Sequence, residues 1–175
     1  MRSFFNILFL LAGLAAALAC YSMLAIFDGW PRSLNLPVVL VVLAIFLLAE
    51  DRALALALGA GLGFDLASGY PFFAWTAVML ATFLVCFWLS RSFLTNRSLP
   101  SLLMLGAAAP IAFVIFEAGL SRALAAVGGT VWFSFAGVSV LSLLVSMALE
   151  LGLLTVIFII YLRFRGERSR MLTHL

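Results

Sequence analysis

The stretch Gly59-Ala60-Gly61-Leu62-Gly63-Phe64-Asp65-Leu66-Ala67-Ser68-Gly69-Tyr70-Pro71 sets a carboxylate inside a glycine-spaced apolar run and then breaks it at Ser-Gly-x-Pro. An acid within hydrocarbon costs about 2.5–3.5 kcal/mol on insertion scales, so such residues face a bundle interior or a partner. The composition around it points to the same solvent. Of 175 residues, 66% are hydrophobic and 10% charged. A soluble domain of that size cannot hide so much apolar surface, so the chain reads as one all-α integral membrane domain.

Outward from that stretch, the apolar runs divide into six expected spans: residues 4–27, 34–49, 53–68, 71–90, 99–120 and 135–162, followed by a basic tail over 163–175. The first, from Phe4 to Phe27, would be about 36 Å long, enough to cross a bilayer with some tilt. Its Ala17-Leu18-Ala19-Cys20 loosely resembles a signal-peptide cleavage site, but the apolar run continues past it, and the span is expected to be retained. Pro37 sits where a helix tolerates its missing N–H, at the start of the second span. One helix from Pro37 to Ser68 would carry Glu50, Asp51 and Arg52 near its middle; two short helices with those charges between them are far cheaper. Pro110 should kink or loosen the fifth span. Trp75 and Trp88 mark the two ends of the fourth.

All ten basic residues are arginine, and their placement is asymmetric. With six spans, Arg2, Arg52, Arg91, Arg97, Arg163, Arg165, Arg168 and Arg170 share one side, while Arg32 and Arg122 occupy the other. The positive-inside rule then expects a multi-pass protein of the bacterial inner (cytoplasmic) membrane with both termini in the cytoplasm. The tail is expected to lie on anionic lipid. No basic, aromatic-interleaved surface of the nucleic-acid kind is present.

Few residues offer chemistry. Asp65 and Ser68 are expected near one end of the third helix, and Glu117 and Arg122 near the same end of the fifth. This suggests an Asp65–Arg122 ion pair, against the plainer reading that each merely marks a helix end. Ser139, Ser142, Ser146 and Glu150 fall on one helical face, which should look into the bundle or at another membrane protein. Structural glue is the expectation for Glu150, since a proton relay would need a second titrating group at its depth. Gly59 and Gly63 form a GxxxG step, and Gly61, Asp65 and Gly69 a second series, so this helix should pack on more than one side. On the first helix, Ala12, Ala16 and Cys20, beside Ala15 and Ala19, form a small-residue stripe. Cys20 and Cys86 read as small buried residues. Enzyme activity, a cofactor and a metal site are not expected: there is no Ser-His-Asp set, HExxH or Cys/His cluster, and His174 sits at the chain's end.

The segment Gly61-Leu-Gly-Phe-Asp65-Leu-Ala-Ser68-Gly69-Tyr-Pro71-Phe-Phe-Ala74 resembles the third-helix motif of the rod shape-determining protein MreD family. Length, six short spans and a basic C-terminal tail are also similar. The resemblance implies a fold like the substrate-binding subunits of energy-coupling-factor transporters and a non-enzymatic place in the cell-wall elongation machinery. It also implies a bitopic MreC-type partner, with links to an MreB-type filament and the wall synthases. Asp65, Ser68, Gly69 and Pro71 carry over as motif positions, without an assigned chemical role. A homodimer stays open, as does the alternative of a vitamin-transporter subunit, whose first helix docks its energising module through small residues such as Ala12/Ala16 or Ala15/Ala19.

Overall fold

A computed structural model describes residues 2–26, 35–68, 73–92, 98–126 and 140–172, with side chains over 4–22, 35–68, 73–92, 98–126 and 144–163. Among the described residues the chain is all-helical: α1 (Arg2–Ile26), α2 (Leu36–Leu47), α3 (Glu50–Ser68), α4 (Ala74–Ser92), α5 (Leu99–Ala126) and α6 (Val140–Leu172). Four stretches are long and apolar enough to cross a membrane: Phe4–Ser22, Ala74–Ser92, Leu99–Ala126 and Leu144–Arg163. The chain is therefore a multi-pass membrane protein. Two helices fall outside that group. α2 is apolar throughout but has 12 residues, about 18 Å, and α3 carries Glu50, Asp51, Arg52 and Asp65.

The expected division of the 34–68 region into two helices is present. α2 ends at Leu47, where Leu48 leaves the helix with ψ −177° while still donating its N–H to the Ala44 carbonyl. The charges sit elsewhere than expected. α3 begins at Glu50 rather than Ala53, because Glu50 and Asp51 in a first turn complement the positive end of the helix dipole and favour helix there. Other boundaries also move. α5 continues past Leu120 to Ala126, so Ser121 and Arg122 are helical and not part of a connector. α6 runs through the basic segment to Leu172 with no break at Arg163. α4 opens at Ala74 and closes at Ser92. Pro110 lies within α5, which runs on past it.

α2 is the hub. It touches all five other helices, while α1, α3, α4, α5 and α6 follow one another around it in the order α1–α3–α4–α5–α6. A helix without a polar side chain belongs in such a place, and Val38, Val39, Val41, Val42, Ala44 and Phe46 are all buried. Phe46 meets Phe158 of α6 edge to face, with centroids 5.9 Å apart.

Close backbone approach fastens α1 to α3. A Cβ added to Gly59 would collide with the Leu10 carbonyl, and one on Gly63 would come within 2.8 Å of Ala17 Cβ and of the Leu14 carbonyl oxygen. Gly13 is equally constrained against Leu56. On the other side of α3, Gly61 lies against the Thr76 backbone of α4. The glycine-spaced helix is thus packed on two sides, as its sequence implied. The α1 stripe resolves by face: Ala16, Ala17 and Cys20 are buried, whereas Ala12, Ala15 and Ala19 are exposed.

The contacts also order the two ends of the bundle. The Arg52 guanidinium of α3 lies over Phe5 and Phe9 of α1, 5.2 and 5.9 Å from the ring centroids. Glu50 at the start of α3 pairs with Arg91 near the end of α4. One end therefore gathers the starts of α1 and α3, the end of α4, and Arg52 and Arg91. Phe46, near the end of α2, packs on Phe158, so α6 also runs toward this end. Asp65, Glu117 and Arg122 lie toward the other.

Candidate functional site

The carboxylate of the opening stretch has a defined job in the fold. Asp65, 8% exposed near the end of α3, accepts hydrogen bonds from the first turn of α4. The Trp75 N–H donates to Oδ1 at 2.8 Å, the Thr76 N–H to Oδ2 at 3.0 Å, and the Thr76 hydroxyl to Oδ2 at 2.6 Å. The first N–H groups of any helix lack partners within it, and an anion beside them also meets the positive end of the helix dipole. Asp65 supplies that anion from another helix, so it clamps the α3–α4 corner. Just before this turn Phe73 has φ 54°, an uncommon left-handed conformation for a bulky residue. Its ring is 66% exposed, so side-chain packing does little to hold it there.

Glu150 repeats the arrangement at a second helix start. Only 1% of it is exposed, and its Oε1 accepts from the Asn35 N–H at 3.2 Å and from the Ser146 hydroxyl at 3.2 Å. Asn35 is in turn the N-cap of α2: its Oδ1 accepts from the Val38 N–H at 3.4 Å. Because α2 is the enclosed hub, its start has little access to solvent, and buried backbone N–H groups require partners. Glu150 and Asn35 meet that requirement together. The buried Cys20 of α1 reaches the Leu36 backbone of the same turn.

The expected site residues therefore separate. Asp65 and Arg122 form no ion pair: Asp65 is engaged by α4, and Arg122 is exposed on the continued α5. The reason is the first turn of α4, which reaches Asp65 and supplies three donors. Ser68 donates its hydroxyl to the Phe64 carbonyl of its own helix at 2.6 Å. Gly69, Pro71, Ser139, the Ser142 side chain and His174 lie outside the described residues. Ser146 and Glu150 do point into the bundle, as their shared face implied. Trp75 belongs to the interior rather than the lipid boundary: its ring stacks on Phe113 at 5.8 Å and packs on Phe64 at 5.4 Å. Trp88 is 60% exposed.

Glu117 is different in kind. It is 3% exposed, and neither carboxyl oxygen has a hydrogen-bond partner. It lines a small cavity of about 10 Å³ with Ala74, Trp75, Val78, Leu120 and Ser121, room for about one water molecule. Among the described residues no group of three or more His, Cys, Asp or Glu is placed to hold a metal ion.

Sequence reasoning missed Asn35, Trp75 and Thr76 as partners. Asn35-Leu36-Pro37 carried a usable signal, an N-cap residue followed by proline in the first turn. Thr76 carried none until the start of α4 was placed. No family model, curated protein or solved structure matches the chain.

Proposed function

We propose that the chain is a non-enzymatic scaffold subunit of the bacterial cell-wall elongation machinery, similar to MreD and binding a bitopic MreC-type protein. In this reading it crosses the inner membrane six times with both termini in the cytoplasm, in a bundle like the transporter substrate-binding subunits. The end of the bundle carrying Arg52 and Arg91 faces the cytoplasm, where positive residues accumulate. The supporting observation is the role of Asp65. The acid of the MreD-like stretch fixes the corner between α3 and α4, and so shapes the periplasmic end on which a partner's extracytoplasmic domain would sit. Glu150 serves α2 in the same way. Two of the membrane carboxylates thus support architecture, as a scaffold requires.

The transporter-subunit alternative keeps one observation in its favour, the exposed Ala12, Ala15 and Ala19 on α1. Against it, the cavity at Glu117, about 10 Å³, has room for about one water molecule, far from the roughly 300–1,000 Å³ of ordinary ligand pockets. Co-expression with the MreC-type protein of the same genome, followed by affinity isolation in mild detergent, tests the scaffold reading. A stoichiometric complex supports it. Failure to co-purify, together with thermal stabilisation by a vitamin, replaces it with the transporter reading.

A further inference from the structure

We propose that Arg52, at the start of α3, binds the phosphate of an anionic phospholipid in the headgroup layer at that end of the bundle. The inference stands apart from the scaffold reading and needs only a chain that spans a bilayer. It begins with a contrast between two arginines. Arg91 lies over Phe87, 5.0 Å from the ring centroid, and pairs with Glu50. Arg52 lies over Phe5 and Phe9 of α1, 5.2 and 5.9 Å from their centroids. Among the described residues its guanidinium has no carboxylate partner and no hydrogen-bond acceptor. The neighbouring acids do not fill the place: Glu50 is taken by Arg91, and Asp51 makes no ion pair with Arg52. A ring face attracts the charge but offers no oxygen to the five N–H donors. Those donors form a planar fork that fits a phosphate through two parallel bonds.

The seat is rigid and lies at the right depth. The backbones of α1 and α3 are in close contact at Gly13 and Gly59, which fixes Arg52 against the two rings. Phe5 is the second residue of the apolar stretch Phe4–Ser22, so a group over its ring lies where hydrocarbon gives way to headgroups. Phe4 and Phe5 are both exposed, so lipid reaches the site from the side.

The surface leading away from Phe5 separates a lipid from a free phosphate ion. Leu8, Ala12, Ala15 and Ala19 follow it along one side of α1, and all four are exposed. Alanine projects only a methyl group, so this strip is low, and it extends about 21 Å, more than half of the roughly 30 Å hydrocarbon core. An acyl chain can lie along it; a phosphate ion gains nothing from it. Charge selects the headgroup. Phosphatidylglycerol presents a phosphate with no cation beside it, whereas phosphatidylcholine would bring a quaternary ammonium to an end that already carries Arg52 and Arg91.

The test is native mass spectrometry of the full chain released from one detergent, with phosphatidylglycerol, phosphatidylcholine or inorganic phosphate added in turn. Saturable retention of a first phosphatidylglycerol is expected, with the other two retained far less. That retention should fall about tenfold or more in Arg52→Gln, the loss of a charge-assisted, two-pronged contact. It should change by less than about twofold in Arg91→Gln, which removes the same charge from an exposed pair at the same end. Phe5→Leu combined with Phe9→Leu unseats the guanidinium while keeping its charge, should weaken retention as well, and serves if Arg52→Gln fails to fold. Equal losses in Arg52→Gln and Arg91→Gln would show attraction to net charge alone. Phosphatidylcholine held as well as phosphatidylglycerol would remove the headgroup preference, and inorganic phosphate held as well would make the ligand a soluble anion. Each of these overturns the proposal, as does retention unchanged in both Arg52→Gln and the double phenylalanine variant.

Discussion

Replacing Asp65 with alanine removes the acceptor of three hydrogen bonds, made at 2.8, 3.0 and 2.6 Å to the first turn of α4. Bonds to a charged group contribute about 1.5–3 kcal/mol each, but three on one small side chain are not additive. Removing one partner of a buried charged cluster typically costs about 3–5 kcal/mol. Asp65 retains some exposure, which lets water replace part of what is lost, and the lower half of that range, about 3–4 kcal/mol, is expected. For a chain of this length 1 kcal/mol corresponds to about 2–4 °C in Tm, so Asp65→Ala should melt about 6–16 °C lower. Asp65→Asn keeps one acceptor and loses the charge at the helix start, and should cost about half as much. Thr76→Val removes a single hydroxyl, about 1 kcal/mol. Thermal unfolding in one fixed detergent and lipid mixture is the assay, and the double variant is the control: contacting residues couple by about 0.5–3 kcal/mol. A Tm change within 1 °C for Asp65→Ala, or strict additivity with Thr76→Val, would refute the clamp.

Other perturbations separate packing from charge. Gly59→Ala should destabilise by about 1–3 kcal/mol through overpacking, since its Cβ would meet the Leu10 carbonyl; Gly152→Ala, with nothing within 4 Å, should be neutral or slightly stabilising in the same melt. Glu150→Leu should cost about 3 kcal/mol or more by leaving the Asn35 N-H without its acceptor, while Glu150→Gln retains most of the stability; insertion and melting of the leucine variant like the wild type would end the structural role given to Glu150. Arg91→Ala breaks a pair whose side chains are 65% and 57% exposed, so its cost should stay below about 1 kcal/mol and shrink further in salt. Truncation after Leu162 removes four arginines, each contributing about 1 kcal/mol near an anionic surface; flotation of vesicles carrying the isolated tail peptide should show that loss, with topology unchanged.

Much of the fold was legible because membrane helices announce their breaks. Pro37 placed the start of α2, and the cost of burying Glu50-Asp51-Arg52 separated α2 from α3. The glycine spacing from Gly59 to Gly63 correctly implied two packed faces. The ends of α5 and α6 were not legible from hydropathy, because a helix does not stop where it leaves hydrocarbon. Ser121-Arg122-Ala123-Leu124-Ala125-Ala126 contains no breaker, and Arg163 to Leu172 consists largely of good helix formers. The carboxylate partners were harder still. Asp65 lies 10 and 11 positions from its donors, a distance sequence could have bridged had the first turn of α4 been placed. Glu150 lies 115 positions from Asn35, and only the enclosure of α2 by the other five helices brings them together. That enclosure also explains why α2 can be short: its start ends on a carboxylate inside the bundle.

Amide hydrogen exchange at Asn35, Trp75 and Thr76 tests most directly the claim that Asp65 and Glu150 each hold a helix start. In the wild-type chain in lipid, all three N–H groups should be protected. Asp65→Ala should speed exchange at Trp75 and Thr76 and leave Asn35 unchanged; Glu150→Ala should do the reverse. Rapid exchange of these amides in the wild type, or protection that survives both substitutions, would contradict it.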